Sequence, residues 1–404
     1  MSDIAVFTMG TRGDVQPYLY LGRALTRAKH NVVIGTHPCW RSLVENAGLS
    51  FAPIGPDVDI EKEAAVIRGK NPNVVMSMLK TMKFVFGIIE TSTSDIYDCC
   101  KEKDLIIVSH SQMGAAEAEV LGIPVVNVTL QTEMIPQRRK PLTFKDKIVG
   151  KIVSRQICKP YNKVRKVYNL PPLADSGDLI GGKVNLIPIS AHVQERNPYW
   201  EEHHIMTGYW YEEDEDYVPD AALSEFLQKG DAPIILALGA MSFESESDRQ
   251  KLDMFVAAFR ETGKRAVIQG FQKTLQDYEL PDTMMACGSV PHSWLFKQGY
   301  AVIHHCGFGT SSAAMLYGIP SIPVPHVLDQ IGFAKQMEAL GVSTKMISAK
   351  ELSASRLILA INELSENYDT FTKTVRSLSE KLREENGLDT AVSEIDKILH
   401  GAEA

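Results

Sequence analysis

Cysteine is scarce in this 404-residue chain and follows no pattern: six residues, at positions 39, 99, 100, 158, 287 and 306, form no CxxC pair. No Cys/His cluster has the spacing of a zinc site either, so neither a zinc module nor a disulfide framework organises the fold. The six are expected as reduced thiols, and the vicinal pair Cys99-Cys100 reads as two packed thiols rather than a redox switch. No apolar run reaches the length of a membrane span. The first residues pass almost directly into a strand, without a basic leader or a cleavage site. These absences predict a cytoplasmic chain that does not cross a bilayer. Positive charge is not in excess: 42 Lys and Arg against 50 Asp and Glu give a net charge of -8. A nucleic-acid binder would normally carry a basic surplus. Short repeats and low-complexity tracts are also missing, which excludes solenoids and arrays.

What is present is an ordinary globular composition, 44% apolar and 23% charged, in a chain longer than one hydrophobic core usually supports. Short apolar runs alternate with helix-period segments. The runs are Ile4-Thr8, Val32-Ile34, Leu105-Val108, Pro124-Val128 and Asn185-Ile189. The acidic stretch Tyr209-Asp216 reads as a linker or solvated turn. Beyond it the pattern restarts with Ile234-Leu238, Ala266-Ile268, Ala301-Ile303 and Ser321-Val324. Strands alternating with helices predict parallel sheets covered on both faces. The expected fold is α/β, with two doubly wound, Rossmann-like domains and a cleft between them. The boundaries expected are 1-212, 213-385 and a C-terminal helix in 386-404, which starts near Asp389, stops at Gly401 and packs back toward the first domain. Open sheets of this kind bind ligands beyond the carboxyl ends of their strands.

The densest chemistry follows the run Ala301-Ile303. His304-His305-Cys306-Gly307-Phe308-Gly309-Thr310-Ser311-Ser312 leads from a buried strand through two glycines into a helix, with Thr and Ser read as its caps. A helix start offers unpaired N–H groups and partial positive charge, which suits a diphosphate. His305 can add an imidazole N–H and Thr310 a hydroxyl. A tight turn with nothing bound needs only the glycines. A third reading is a dinucleotide fingerprint, since Gly307 and Gly309 have G-x-G spacing and Asp329 lies 20 residues on. That fingerprint normally sits on the first strand of its domain, where this chain has Gly239-Ala240-Met241 instead.

These residues, with Val324-Pro325-His326-Val327-Leu328-Asp329-Gln330 and the upstream Val290-Pro291-His292-Ser293-Trp294, resemble the donor signature of sterol and antibiotic glycosyltransferases of the GT-B type. The resemblance runs in order from Gly10 to about Gly341. It implies diphosphate contacts from Gly239, Ala240, Met241, His305, Gly307, Phe308, Gly309 and Thr310. It implies nucleobase contacts from Val290, through its backbone, and from His292, with sugar hydroxyls bonded by Asp329 and Gln330. It also implies a UDP-sugar or dTDP-sugar donor, UDP-glucose first, with no metal or other cofactor. Two positions depart from the family. Ala240 replaces a common serine and loses a hydroxyl, and Cys306 stands where a third glycine is common.

The loop Met9-Gly10-Thr11-Arg12-Gly13-Asp14-Val15-Gln16-Pro17 follows the first strand, with Pro17 read in the first turn of a helix. One reading of Asp14 at a helix entrance is an N-cap; the other is a carboxylate that faces the cleft and takes the proton from the acceptor hydroxyl. The resembled family carries the same Gly-Asp-Val-Gln-Pro string, and there its Asp is the candidate base that deprotonates the acceptor. A weakly nucleophilic hydroxyl benefits from a positioned base, while a departing diphosphate needs charge stabilisation. Gly10, Thr11 and His110 are acceptor-side candidates. Plant-type relatives place a histidine in the first loop, and residues 8-13 contain none.

Residues 138-166 hold eleven Lys or Arg against one acid, Asp146, inside an acidic chain. Phe144, Ile148, Val149, Ile152 and Val153 fit one helix face, which Arg155 and Ile157 blur. A solvated helix covering the acceptor pocket explains this segment; so does a basic amphipathic helix on the inner face of an anionic membrane. The expected partners are a nucleotide sugar and a small apolar acceptor such as a sterol, lipid or polyketide. The expected activity is inverting transfer of a hexose. An NAD(P)-dependent oxidoreductase and a non-catalytic sugar-nucleotide binder are the alternatives.

Overall fold

The computed structural model describes all residues except 70-73, 133-134, 136-143, 214-216, 243-246 and 402-404. The apolar runs become strands because β-branched and long aliphatic side chains fill a pleated surface covered on both sides. In chain order they are β1 (Asp3–Phe7), β2 (Asn31–Thr36), β3 (Ser50–Pro53), β4 (Leu105–Val108), β5 (Val125–Val128), β6 (Asn185–Ile187), β7 (His204–Met206), β8 (Ile234–Ala237), β9 (Ala266–Gln269), β10 (Met284–Cys287), β11 (Ala301–His304) and β12 (Ser321–Pro323).

They form two sheets, ordered β3-β2-β1-β4-β5-β6-β7 and β10-β9-β8-β11-β12. The pairings are parallel: Ile4 lies beside Val32 on one side and Leu105 on the other, and Ala301 beside Ile234. The α/β expectation therefore holds. In each sheet the order reverses at the first strand. The chain winds outward from β1 through β2 to β3, then returns to β4; it does the same from β8 through β9 to β10, returning to β11. The loops after β1 and β4, and after β8 and β11, thus meet at switch points where ligands of open sheets bind. Three strands escaped the apolar pattern, β3, β7 and β10, and each lies at the edge of its sheet. Edge strands are half-exposed, so Ser50-Phe-Ala-Pro, His204-Ile-Met and Met284-Met-Ala-Cys need no continuous apolar run.

The chain divides into two compact units. One comprises Met1–Ile60, Val75–Tyr211 and Glu385–Ala404; the other comprises Glu61–Val74 and Glu212–Glu384. In the first, the helix Arg12–Arg27 buries Val15, Tyr18, Leu19, Leu21 and Leu25 at helical spacing. The terminal helix Gly387–Leu399 begins two residues before Asp389 and packs on it, with His30 Nε2 3.0 Å from Asp396 Oδ1. The second unit's core joins Ile234, Leu236, Phe255, Phe259, Ile268, Ile303 and Ile361.

The stretch expected as a linker is not one throughout. Tyr209 and Trp210 are buried, and the Trp210 indole N–H donates to Thr207 Oγ1 at 3.0 Å. Glu213 pairs with Lys297 at 2.6 Å and Arg383 at 2.9 Å. Aromatic bulk and paired charge fix these residues. The remaining acidic positions, 214-216, lie outside the described residues.

Candidate functional site

In the second unit, β11 is wholly buried and ends at His304. His304 Nδ1 accepts the Cys306 backbone N–H at 3.1 Å. Burial, reinforced by the neighbouring His305 and His292, pushes its imidazole down to about 3. His304 is therefore a neutral brace inside the turn. Cys306 is buried with φ +62°, a left-handed conformation that costs a side-chain-bearing residue energy. That geometry explains why glycine is common at this place in the resembled family.

His305 stands half-buried between two glycines. Its Nδ1 lies 3.5 Å from the Ala237 carbonyl oxygen, at the long limit of a hydrogen bond. A Cβ on Gly239 would come within 2.8 Å of the ring, and one on Gly307 within 2.5 Å of Nε2. Both glycines are needed to seat the imidazole. The helix Phe308–Leu316 begins here, with Gly307 as N-cap and no side-chain cap bond. Thr310 and Ser311 therefore lie in the first turn and do not cap it. Its leading N–H groups have no partner within the helix. Gly309 is exposed, and a Cβ there would meet nothing within 4 Å. Phe308 packs edge-on against Phe333, which anchors the turn at 6.0 Å.

After β8, Gly239, Ala240, Met241 and Ser242 form one 3-10 turn. Ser242 Oγ donates to the Gly239 carbonyl at 2.9 Å, and Lys251 Nζ donates to the Met241 carbonyl at 2.9 Å. That ammonium, three residues from Asp248 and 3.3 Å from its Oδ1, is a charge near the turn that sequence reading missed.

The nucleobase candidates share a brace the sequence did not announce. Gln269, the last residue of β9, donates through Nε2 to the Val290 carbonyl at 2.7 Å, and its Oε1 lies 3.0 Å from His292 Nε2. His292 also stacks on Phe296 with ring centres 4.4 Å apart. Gln269 was findable as a polar residue directly after an apolar run. Asp329 and Gln330 lie in the first turn of the helix Leu328–Ala339, not on a surface turn. Gln330 is buried, and its Oε1 accepts the N–H groups of His326 at 2.8 Å and Val327 at 3.2 Å. Its amide oxygen is thus committed to capping, which leaves the NH2 end for a ligand.

In the first unit the helix starts at Arg12, with Thr11 as N-cap and Asp14 at the third helical position. Asp14 closes a capping box: its Oδ2 accepts the Thr11 N–H at 2.8 Å and the Thr11 hydroxyl at 3.0 Å. Asp14 is not itself the cap, and Pro17 falls beyond the first turn. Gly10, at φ +142°, leaves room for this carboxylate; a Cβ there would sit 2.4 Å from Asp14 Oδ2. Trp40 Nε1 holds the Gly10 carbonyl at 3.1 Å. Asp14 is half-buried, and burial together with its charge pushes the enclosed Tyr18 phenol well up.

His110 follows β4, beside β1, and its carbonyl accepts the Tyr161 hydroxyl at 3.1 Å. A further histidine of this unit, His37, lies directly after β2 and was not among the sequence candidates. His37 is buried, with Nδ1 3.4 Å from Cys39 Sγ, and burial lowers its pKa. A cavity of about 40 Å³, lined by residues including Phe86, Met113, Tyr161 and Val164, lies beside the loop after β4. It has room for a few waters and not for an acceptor. Among the described residues, no group of three or more His, Cys, Asp or Glu could hold a metal ion, and no helix is long and apolar enough to cross a membrane.

Comparison with known proteins finds matches in both units. Residues 4–146 match the glycosyltransferase family 28 N-terminal domain, and residues 264–401 match the erythromycin biosynthesis protein CIII-like C-terminal domain. A sterol 3-beta-glucosyltransferase of Debaryomyces hansenii is 27% identical, over 97% of this chain and 26% of its own length. The chain thus spans about a quarter of that relative. The glycosyltransferase of kitacinnamycin superposes with a TM-score of 0.73 at 17% identity, covering 98% of this chain and 99% of its own. A Streptomyces glycosyltransferase complexed with thymidine diphosphate superposes with a TM-score of 0.68 at 18% identity, covering 98% and 100%.

Proposed function

From the premise that this chain is a GT-B protein, combining a family 28 glycosyltransferase domain with an erythromycin-biosynthesis-CIII-like domain, we propose that it is an inverting, metal-independent hexosyltransferase. The donor is a nucleoside-diphosphate sugar, UDP-glucose first and a dTDP-sugar second. The acceptor is a hydroxyl of a small apolar molecule such as a sterol, lipid or polyketide. The observation that carries this reading is the helix start at Gly307: its N-cap is a glycine that supplies no capping side chain, His305 is seated beside it, and Gly309 faces open space. An anion is the complement of that combination.

In the proposed reaction the bond between the anomeric carbon and the β-phosphate oxygen breaks while the acceptor oxygen attacks from the opposite face. Asp14 takes the acceptor proton, and the first unit's contribution is that base. The diphosphate leaves with its charge spread over the leading N–H groups of Phe308–Leu316 and the imidazole of His305. With Nδ1 turned toward the Ala237 carbonyl and Nε2 beside Gly307, the His305 ring is placed to meet the leaving diphosphate. Gln269 holds Val290 and His292 for the base, while Asp329 and the Gln330 amide NH2 meet sugar hydroxyls.

The names of the relatives support the substrate classes: sterol for the acceptor, thymidine diphosphate for the nucleotide. The test is a donor panel scored by UDP or dTDP release with sterol, polyketide and phenolic acceptors. Tight NADH binding without UDP or dTDP binding would turn the reading toward an oxidoreductase.

A further inference from the structure

Between Ile148 and Val153 the helix Phe144–Val167 turns its aliphatic residues outward. Ser154, Cys158, Tyr161 and Val164 are buried against the first unit. On the opposite side Ile148 is 44% exposed, Val149 58%, Ile152 57% and Val153 51%. Their spacing puts four aliphatic side chains into one patch across two adjacent turns. A solvated helix carries polar residues on this face, so the patch is not that of a plain surface helix. Lys151, Arg155 and Lys159, four residues apart, form a ladder of exposed cations along one border of the patch. From Ile148 to Lys159 the helix has no acidic residue. Further along, Lys163 and Arg165 are held by Glu90 at 2.7 Å and Glu119 at 2.6 Å, so their charge is spent inside the fold.

We propose that this face docks on an anionic lipid surface, with Ile148, Val149, Ile152 and Val153 entering the interface and Lys151, Arg155 and Lys159 meeting lipid phosphates. Charge selects this occupant. The chain as a whole carries -8 and is repelled by an anionic bilayer, so binding needs a local reversal of sign at the contact face. A symmetric second copy would bring two cation ladders together and repel. Aliphatic insertion and cation attraction act on the same helix face, as an interfacial helix requires. The proposal uses neither the nucleotide site nor the acceptor, so it stands or falls apart from the transferase reading.

The experiment is flotation of the full chain with phosphatidylcholine vesicles, with and without phosphatidylglycerol. Binding is expected only to the anionic vesicles at low salt, and it should fall on the order of tenfold at high salt. Each exposed cation removed should weaken binding about fivefold, so Arg155→Glu with Lys159→Glu should weaken it at least about 25-fold. Val149→Glu with Ile152→Glu should abolish it. All four positions are exposed, so an unchanged melting temperature certifies that the variants are folded. Absence of flotation at low salt overturns the proposal, as does equal binding to neutral vesicles or indifference to both double variants. A concentration-dependent dimer that Val149→Glu dissolves would assign the face to a second copy instead.

Discussion

Replacing Gly309 with alanine separates ligand binding from protein stability. Gly309 lies at the second position of the helix Phe308–Leu316, and an added Cβ would meet no protein atom within 4 Å. The fold therefore suffers no clash, and alanine's better helix propensity stabilises by up to about 1 kcal/mol. A methyl group on this exposed turn nevertheless occupies the space through which a diphosphate reaches the leading N–H groups. Displacing the phosphates by the width of one methyl should cost about 1.4–2.8 kcal/mol of binding, or about 10- to 100-fold in Kd. Calorimetric titration with UDP and dTDP, beside a thermal scan, makes the comparison. The expected pair of results is a Tm unchanged or raised by about 1–3 °C, with nucleotide affinity lost. Wild-type affinity in Gly309→Ala would show that the phosphates do not lie on this helix start, and the proposed donor site would be wrong.

Asp14→Asn should lower turnover on the order of 100- to 10,000-fold while leaving UDP affinity within about twofold, measured by UDP release and by titration. The amide keeps one acceptor oxygen for the capping box, so the stability loss should stay near about 1 kcal/mol. Gln269→Leu removes the brace on Val290 and His292 and should raise the Kd for UDP several-fold, on the order of one charge-free hydrogen bond or about 1 kcal/mol, without changing the affinity for inorganic pyrophosphate. His304 is depressed to about 3 by burial, so the unfolded chain binds the extra proton between that value and the ordinary one. Stability from this residue is fully present at neutral pH and falls as pH drops. Between about pH 8 and about pH 5.5, wild type should lose about 1.4 kcal/mol relative to His304→Asn, read from denaturant titrations at both pH values.

The α/β class and most strands were legible in the chain itself. Buried parallel strands must be apolar on both faces, so Leu105-Ile-Ile-Val and Ile234-Ile-Leu-Ala announce themselves without a neighbour. The glycine-rich turns could be read for the same local reason. Other features could not. Whether Asp14 caps a helix or sits three residues inside it depends on where the helix starts, and propensity leaves that open by a residue or two. The oxygen of Gln330 looked free for a sugar until the backbone of His326 and Val327 folded onto it. An amphipathic pattern shows that the helix Phe144–Val167 has an apolar stripe, but not which way the stripe points; packing on Cys158 and Tyr161 turned it outward.

The sequence by itself determined which residues could carry the chemistry: a strand, two glycines and a helix start after His305, and a carboxylate after the first strand. These are local facts, set by backbone conformation and hydrogen-bonding capacity within a few residues. Only the tertiary structure placed β1 beside β4 and β8 beside β11, seated the His305 ring between Gly239 and Gly307, and tied Gln269 to Val290 and His292. Such contacts join residues up to 101 positions apart, as Ile4 and Leu105 are. They arise from how sheets wind and cores close, which no short window of sequence contains.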